Sequence, residues 1–556
     1  MKDDFIKLTP LFIATAFALA HLPAAHATVR DTLNTVPAVA FQQPSPVTSF
    51  LPVFNNDSIN DFQAQIQLYQ PVLWIGNNLK IDWSRSIAKS VEVSKNRTVY
   101  TVTLKHWQWS DGKPVTAADA AYDFKLIQAD GQSYQNYGIG GMPTDIASFK
   151  VLGPYRFAIT LKQPANTHWF ELNGLSQITP VPEHAWGQHT AAWFRNHETD
   201  LNLVKVVDGP YKVAAFNASR YLRFVANPDY SGAPRPSIKH FNFNFYTNNS
   251  AAFSALKTGS LGIGQIPFNL YNARHLVSNL KNFSTDGKKG AYGYGIWYVV
   301  LNFHNPKVGF INDLKVRQAL QYGINQQAII NVVYHGLASP SFSPVPPVPD
   351  TYLSPRLKRL DSHPQQMYDP AKARALLDAA GWKPGPGGIR EKNGHRLAFQ
   401  LVVMSGESAA VEQAQLLKQF WQAIGVDAHI HRMTFNQEID TLVGPKSKWE
   451  TAIIPWYYAP DYYPSGDGLL NTGGGSNNGG YSSKKMDALI QASTTAAGLK
   501  GLYAYEDYAS THMPWLWLPT PAYLVKYDPA LQGMSAYFSP VCELSPQALR
   551  YASQAH

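Results

Sequence analysis

The run Trp107-Gln-Trp-Ser-Asp-Gly-Lys-Pro-Val-Thr-Ala-Ala-Asp119 decides how the first half of the chain is built. Asp111-Gly112 is a tight-turn pair, because glycine reaches positive φ without a Cβ penalty. Thr116 stands three residues before Asp119, the spacing at which a threonine caps a helix and an acid bonds back to the cap. The helix it opens runs to about Ala129, with Ala120, Phe124 and Ile127 on one side. Just upstream, Tyr100, Val102 and Leu104 share one face while Val99, Thr101 and Thr103 share the other. That alternation predicts a hairpin over Ser90 to Leu104 turning at Lys95-Asn96. Before it, Thr28 to Asn60 reads as an edge strand followed by a loop.

The second half alternates strands with helices. Asp208-Gly-Pro-Tyr-Lys-Val213 enters a strand, Leu222 to Ala226 forms another, and Phe241, Phe243 and Phe245 alternate along a third. Ser250 opens a helix closed by Gly259. In Asp313-Leu-Lys-Val-Arg-Gln-Ala-Leu-Gln-Tyr-Gly-Ile-Asn325, the residues Val316, Ala319, Leu320, Gly323 and Ile324 recur at helical spacing and form a core face. Asp369 caps and Pro370 begins a further helix, which Gly381 ends. Leu397 to Met404, the helix bearing Val411, Ala414, Leu417, Trp421 and Ile424, and Val426 to Met433 make a βαβ unit. Its two strands are expected to lie parallel.

The next strand opens the most aromatic stretch, Ile-Ile-Pro-Trp-Tyr-Tyr-Ala-Pro-Asp-Tyr-Tyr-Pro from 453 to 464. One acid, Asp461, stands among Trp456, Tyr457, Tyr458, Tyr462 and Tyr463. Pro455 and Pro460 limit the expected strand to Thr451 to Ile454, with an irregular loop beyond. Aromatic faces can sandwich a ligand, and a carboxylate among them can meet a cation such as an amine. Ligands of parallel α/β units lie at the carboxyl ends of the strands, which is where this loop falls. Gly466 to Gly480 lacks the order of a phosphate cradle and reads as a mobile rim loop.

Composition narrows the class. Lys2, Lys7, the apolar Leu8 to Leu22 and Ala25-His26-Ala27 form an export signal over residues 1–27, cleaved after Ala27. The mature chain is expected outside the cytoplasm. Cys542 is the only cysteine, so neither an intrachain disulfide nor a lipid-anchor cysteine is expected, and stability must come from core burial. The formal charge of +9 is spread without a basic run, which fits a soluble protein better than a nucleic-acid binder. No HExxH, GxSxG, CxxC, Walker or dinucleotide pattern occurs. His429 and His431 share a strand face but lack further ligands, so no catalytic residue, metal site or cofactor is expected.

The hairpin, the DGKPVTAAD turn and the helix after it resemble the start of family 5 extracellular solute-binding proteins, the peptide and nickel binders of ABC importers. The later landmarks follow in that family's order. Asp208-Gly-Pro-Tyr211 resembles TGPY with Asp for Thr, and Asn227-Pro-Asp-Tyr230 resembles NPDYW with Ser231 for Trp. Gly259-Ser-Leu-Gly-Ile-Gly264 lacks the acids usual there. The resemblance implies a type II periplasmic-binding-protein fold: two α/β lobes around a hinge, with an extra small domain in the N-terminal lobe. The implied division after the signal is 28–65, 200–297 and 521–556 for lobe I, 66–199 for the small domain and 298–520 for lobe II. The chain crosses between the lobes near Tyr298 and near Pro521.

The implied function is capture of a peptide between the lobes by a monomer and delivery to the permease and ATPase subunits of an importer, with no bond made or broken. Asp461 matches the acid that pairs with a peptide's terminal ammonium, although two extra residues separate it from the aromatic. Trp456 and Tyr457 match the residues whose backbone runs beside the peptide, and Phe435 stands where relatives often have Trp. Tyr458 and Tyr462 complete the expected ligand-binding set. Dipeptide binders carry an Arg in the turn that is Ser405-Gly-Glu-Ser408 here, so a longer peptide is expected. An oligosaccharide ligand and an exported hydrolase are the alternatives.

Overall fold

The computed structural model describes residues 35–38, 47–54, 59–246, 248–445, 448–541 and 543–552. The expected export signal and Cys542 lie outside them. Among the described residues no helix is long and apolar enough to cross a membrane.

The 107–119 run folds as its residues dictate. Thr116 precedes the helix Ala117–Asp130, and its N–H and hydroxyl both donate to the Asp119 carboxylate, at 2.8 and 2.9 Å. The strands Ala88–Val93 and Val99–Leu104 form the expected antiparallel hairpin. Tyr100, Val102 and Leu104 are buried on its inner face. With Arg156–Leu161 and Ile146–Gly153 it makes a four-stranded sheet.

Two larger sheets carry the lobes. The first runs in the order Lys281–Phe283, Thr520–Tyr527, Ile263–Ile266, Thr35–Ala38, His240–Asn244, Tyr221–Ala226, Tyr211–Asn217. Thr35–Ala38 is therefore a central strand, parallel to both neighbours, and not the edge strand expected from sequence. Val36 and Ala38 are fully buried there, and so short a segment gains its place from both neighbours at once. The helix Asn249–Lys257 is capped by Asn248, whose side chain accepts from Ala251 N–H.

The second sheet runs Asp427–Met433, Ala398–Met404, Thr451–Tyr457, Gly295–Leu301, Trp515–Leu518. The expected βαβ unit is there, with Ala398–Met404 parallel to Asp427–Met433 across the helix Ser408–Gln422. That helix buries Ala414, Leu417 and Trp421, and the Trp421 indole N–H donates to the Leu320 carbonyl at 3.0 Å. This bond ties it to Leu314–Tyr322, the helix whose Val316, Ala319 and Leu320 were expected in the core and are fully buried.

The chain passes between the large sheets twice. Ala291–Tyr292 still pairs with the first sheet, while Gly295–Leu301 belongs to the second. Trp515–Leu518 belongs to the second, and Thr520–Tyr527 to the first. Two adjacent crossings of this kind form a hinge.

Candidate binding cleft

The strand Thr451–Tyr457 runs three residues further than its sequence implies, straight through Pro455, which stands opposite Trp297. The reason lies on its other side. Ala398–Met404 pairs with it only at Thr451 and Ala452, so among the described residues no strand pairs with this edge from Ile453 to Trp456. A proline fits such an edge, because its missing N–H can face away from the remaining partner strand. The result is a backbone edge, 453–456, leading to the aromatic loop.

The loop turns inward. Asp461 is buried, and its Oδ1 accepts a short hydrogen bond from Asn173 Nδ2. Asn173 also donates to the Tyr463 carbonyl at 2.8 Å and accepts from the Tyr463 N–H at 2.7 Å. It comes from the helical turn Phe170–Gly174, so the residues implied for the small domain close over the lobe II loop. Asp461 Oδ2 is enclosed and has no hydrogen-bond partner among the described residues. Burial, reinforced by the Asp467 carboxylate nearby, pushes the Asp461 carboxyl well above the usual range, and no cation among the described residues offsets it. Tyr294 and Tyr505 lie within electrostatic reach of Asp461, and their hydroxyls are likewise enclosed without partners.

The expected residues divide between this space and its surroundings. Tyr458 is fully buried, packs its ring at a tilt beside that of Tyr294 with centres 5.6 Å apart, and donates to the Pro344 carbonyl. Trp456 is half-buried with an enclosed, unpartnered indole N–H. The hydroxyl of the half-buried Tyr457 meets that of Tyr523, from the first sheet, at 3.2 Å. Tyr462 points elsewhere and bonds to Glu543 of the C-terminal segment. Phe435 opens the separate helix Phe435–Val443, half-buried, and makes no ring contact among the described residues. His429 and His431 are solvent-exposed on the outer strand Asp427–Met433. Among the described residues no group of three or more His, Cys, Asp and Glu could hold a metal ion.

The glycine-rich segment departs from the expected free rim. Its first part is buried, because Asp467 accepts from Gly140 N–H at 3.2 Å and from the Trp169 indole at 3.1 Å. Burial pushes Asp467 up to about 7. Gly466 leaves room for Tyr505, whose ring atoms would lie 2.3 Å from a Cβ there.

The profile of the bacterial extracellular solute-binding proteins, family 5, matches residues 83–481. The chain belongs to this family. A Brucella ovis protein named as an ABC transporter peptide-binding protein is 30% identical over 304 residues, 53% of this chain and 51% of that one. The chain thus spans about half the length of the first curated relatives it matches. The nickel-binding periplasmic protein of Escherichia coli is 28% identical over 67% of each chain.

Solved structures give the fold over nearly the whole length. Bacillus subtilis AppA in complex with a nonapeptide superposes with a TM-score of 0.77 at 20% identity, covering 94% of this chain and 99% of that one. Campylobacter jejuni NikZ in complex with Ni(L-His) gives 0.74 at 21%, covering 91% and 96%. The family 5 fold is therefore the two-lobe type II architecture that the sequence landmarks imply. Asn173, Asp467, Tyr294 and Tyr505 surround the loop of this family 5 protein without having been singled out in its sequence. Asn173 and Asp461 are 288 positions apart, and no spacing rule links them.

Proposed function

We propose that the protein is the periplasmic substrate-binding component of an ABC importer and captures peptides longer than two residues between its lobes. The observation that carries this reading is the enclosed, unpartnered Asp461 Oδ2 beside the unpartnered hydroxyls of Tyr294 and Tyr505. Buried polar atoms without partners are rare, and a buried acid without a cation is costlier still. A peptide's terminal ammonium brings one positive charge and three donors, which this acid and the oxygens of these phenols can accept. The backbone edge at 453–456, which Ala398–Met404 does not cover, then pairs with the peptide main chain, a mode that tolerates any side chain. The name of the Brucella ovis relative supports a peptide ligand, while that of the Escherichia coli relative points to nickel.

Peptide capture by Asp461, the two phenols and a backbone edge needs no metal. Titration calorimetry with an unblocked pentapeptide should give the same affinity before and after treatment with a chelator. Binding that disappears with the chelator and returns with nickel would overturn the peptide reading in favour of a metal-dependent ligand.

A further inference from the structure

The strands Ala398–Met404 and Thr451–Tyr457 are parallel, so the turn 405–408 and the aromatic loop leave the same edge of the second sheet. Glu407 lies in that turn. It stands at the cap position of the helix Ser408–Gln422, yet its side chain does not cap. Its Oε1 accepts instead from Asn249 Nδ2, at a long 3.4 Å, from the helix Asn249–Lys257 on the side of the first sheet. The carboxylate therefore sits where the two lobes meet.

Two tyrosines lie within electrostatic reach of it. Tyr334 and Tyr523 both feel the Glu407 charge, and the Phe268 ring bridges them, 5.0 Å from Tyr334 and 5.8 Å from Tyr523. The Tyr523 hydroxyl meets that of Tyr457, so this box adjoins the backbone edge proposed to pair with a peptide. Among the described residues no Lys, Arg or His forms an ion pair with Glu407. Burial alone pushes its carboxyl up to about 7. An acid close to aromatic rings is suited to a cation, which gains both the charge and the ring faces.

We propose that Glu407 is a specificity-determining residue, selecting ligands whose side chain ends in an ammonium or guanidinium that lies in the box formed by Phe268, Tyr334 and Tyr523. The inference rests on the peptide reading. It requires that reading to be right, but the peptide reading does not require it. Its test uses pentaalanine peptides with a single lysine placed at each position in turn, and a second set with norleucine, which has the same four-carbon stem without the charge. At one position the wild-type protein should bind the lysine peptide about 10- to 100-fold more tightly than its norleucine counterpart. In Glu407→Gln that preference should vanish while the norleucine peptides bind as before, which also shows that the variant folds. Equal affinity for lysine and norleucine at every position would overturn the inference and leave peptide capture standing. A preference that survives Glu407→Gln would overturn it too. Failure of both sets to bind at all would remove the peptide reading together with this inference.

Discussion

Asp461→Asn should weaken binding of a peptide with a free amino terminus by about 2 to 5 kcal/mol, the range for removing one partner of a buried charged pair. The substitution keeps the side chain's shape but removes the charge that the enclosed Oδ2 holds without a partner. An N-acetylated version of the same peptide brings no ammonium to either protein. Its affinity, poor already, should change far less, so the two modifications should not add. Four titrations measure the coupling, and equal losses for free and acetylated peptide would show that Asp461 only shapes its loop.

The pH dependence follows from the same carboxyl. Its pKa is raised by burial and by Asp467, and the ammonium must meet the ionised form. A raised acid holds its proton more tightly, so affinity for the free peptide should fall as pH drops through that raised value. It should fall again above about pH 8, where the peptide's own amine loses its proton. In Asp461→Asn the acidic limb should shrink.

Asn173→Ala is the second large effect expected. One amide serves three buried groups: the Asp461 carboxylate, the Tyr463 carbonyl and the Tyr463 N–H. Alanine strands all three, and each unsatisfied buried group costs about 1 to 3 kcal/mol, reduced where the loop relaxes to reach water. Because the amide joins the Phe170–Gly174 turn to the lobe II loop, the loss should fall on the closed, ligand-bound form. Peptide affinity should drop by about 3 kcal/mol, a factor near 150. Wild-type affinity in this variant would mean that the contact is not made when ligand is bound.

Much of the architecture is legible in sequence because it is local. The Thr116/Asp119 box, the alternation through Leu104 and the apolar face of Ser408–Gln422 each write their own period. The site is less legible because it depends on distant parts of the chain. Pro455 reads as a strand breaker until the structure shows that Ala398–Met404 stops covering that edge after Ala452. Thr35–Ala38 reads as an edge because nothing local records the two strands that flank it. Asn173 and Tyr505 carry no motif, and they matter only because folding brings them to Asp461. Tyr462 has the same composition signal as Tyr458, yet the chain turns it to Glu543 instead. Glu407 reads in the sequence only as part of the turn where dipeptide binders carry an arginine, because its neighbours Tyr334 and Tyr523 come from distant segments.

The central claim is that the space beside Asp461 is filled by a peptide's amino terminus. Native mass spectrometry of the protein purified from the periplasm without refolding, followed by release and sequencing of whatever is bound, tests it most directly. Peptides of three or more residues with unblocked amino termini, lost in Asp461→Asn, are the predicted result. A sugar or a nickel chelate recovered from both proteins alike would contradict it.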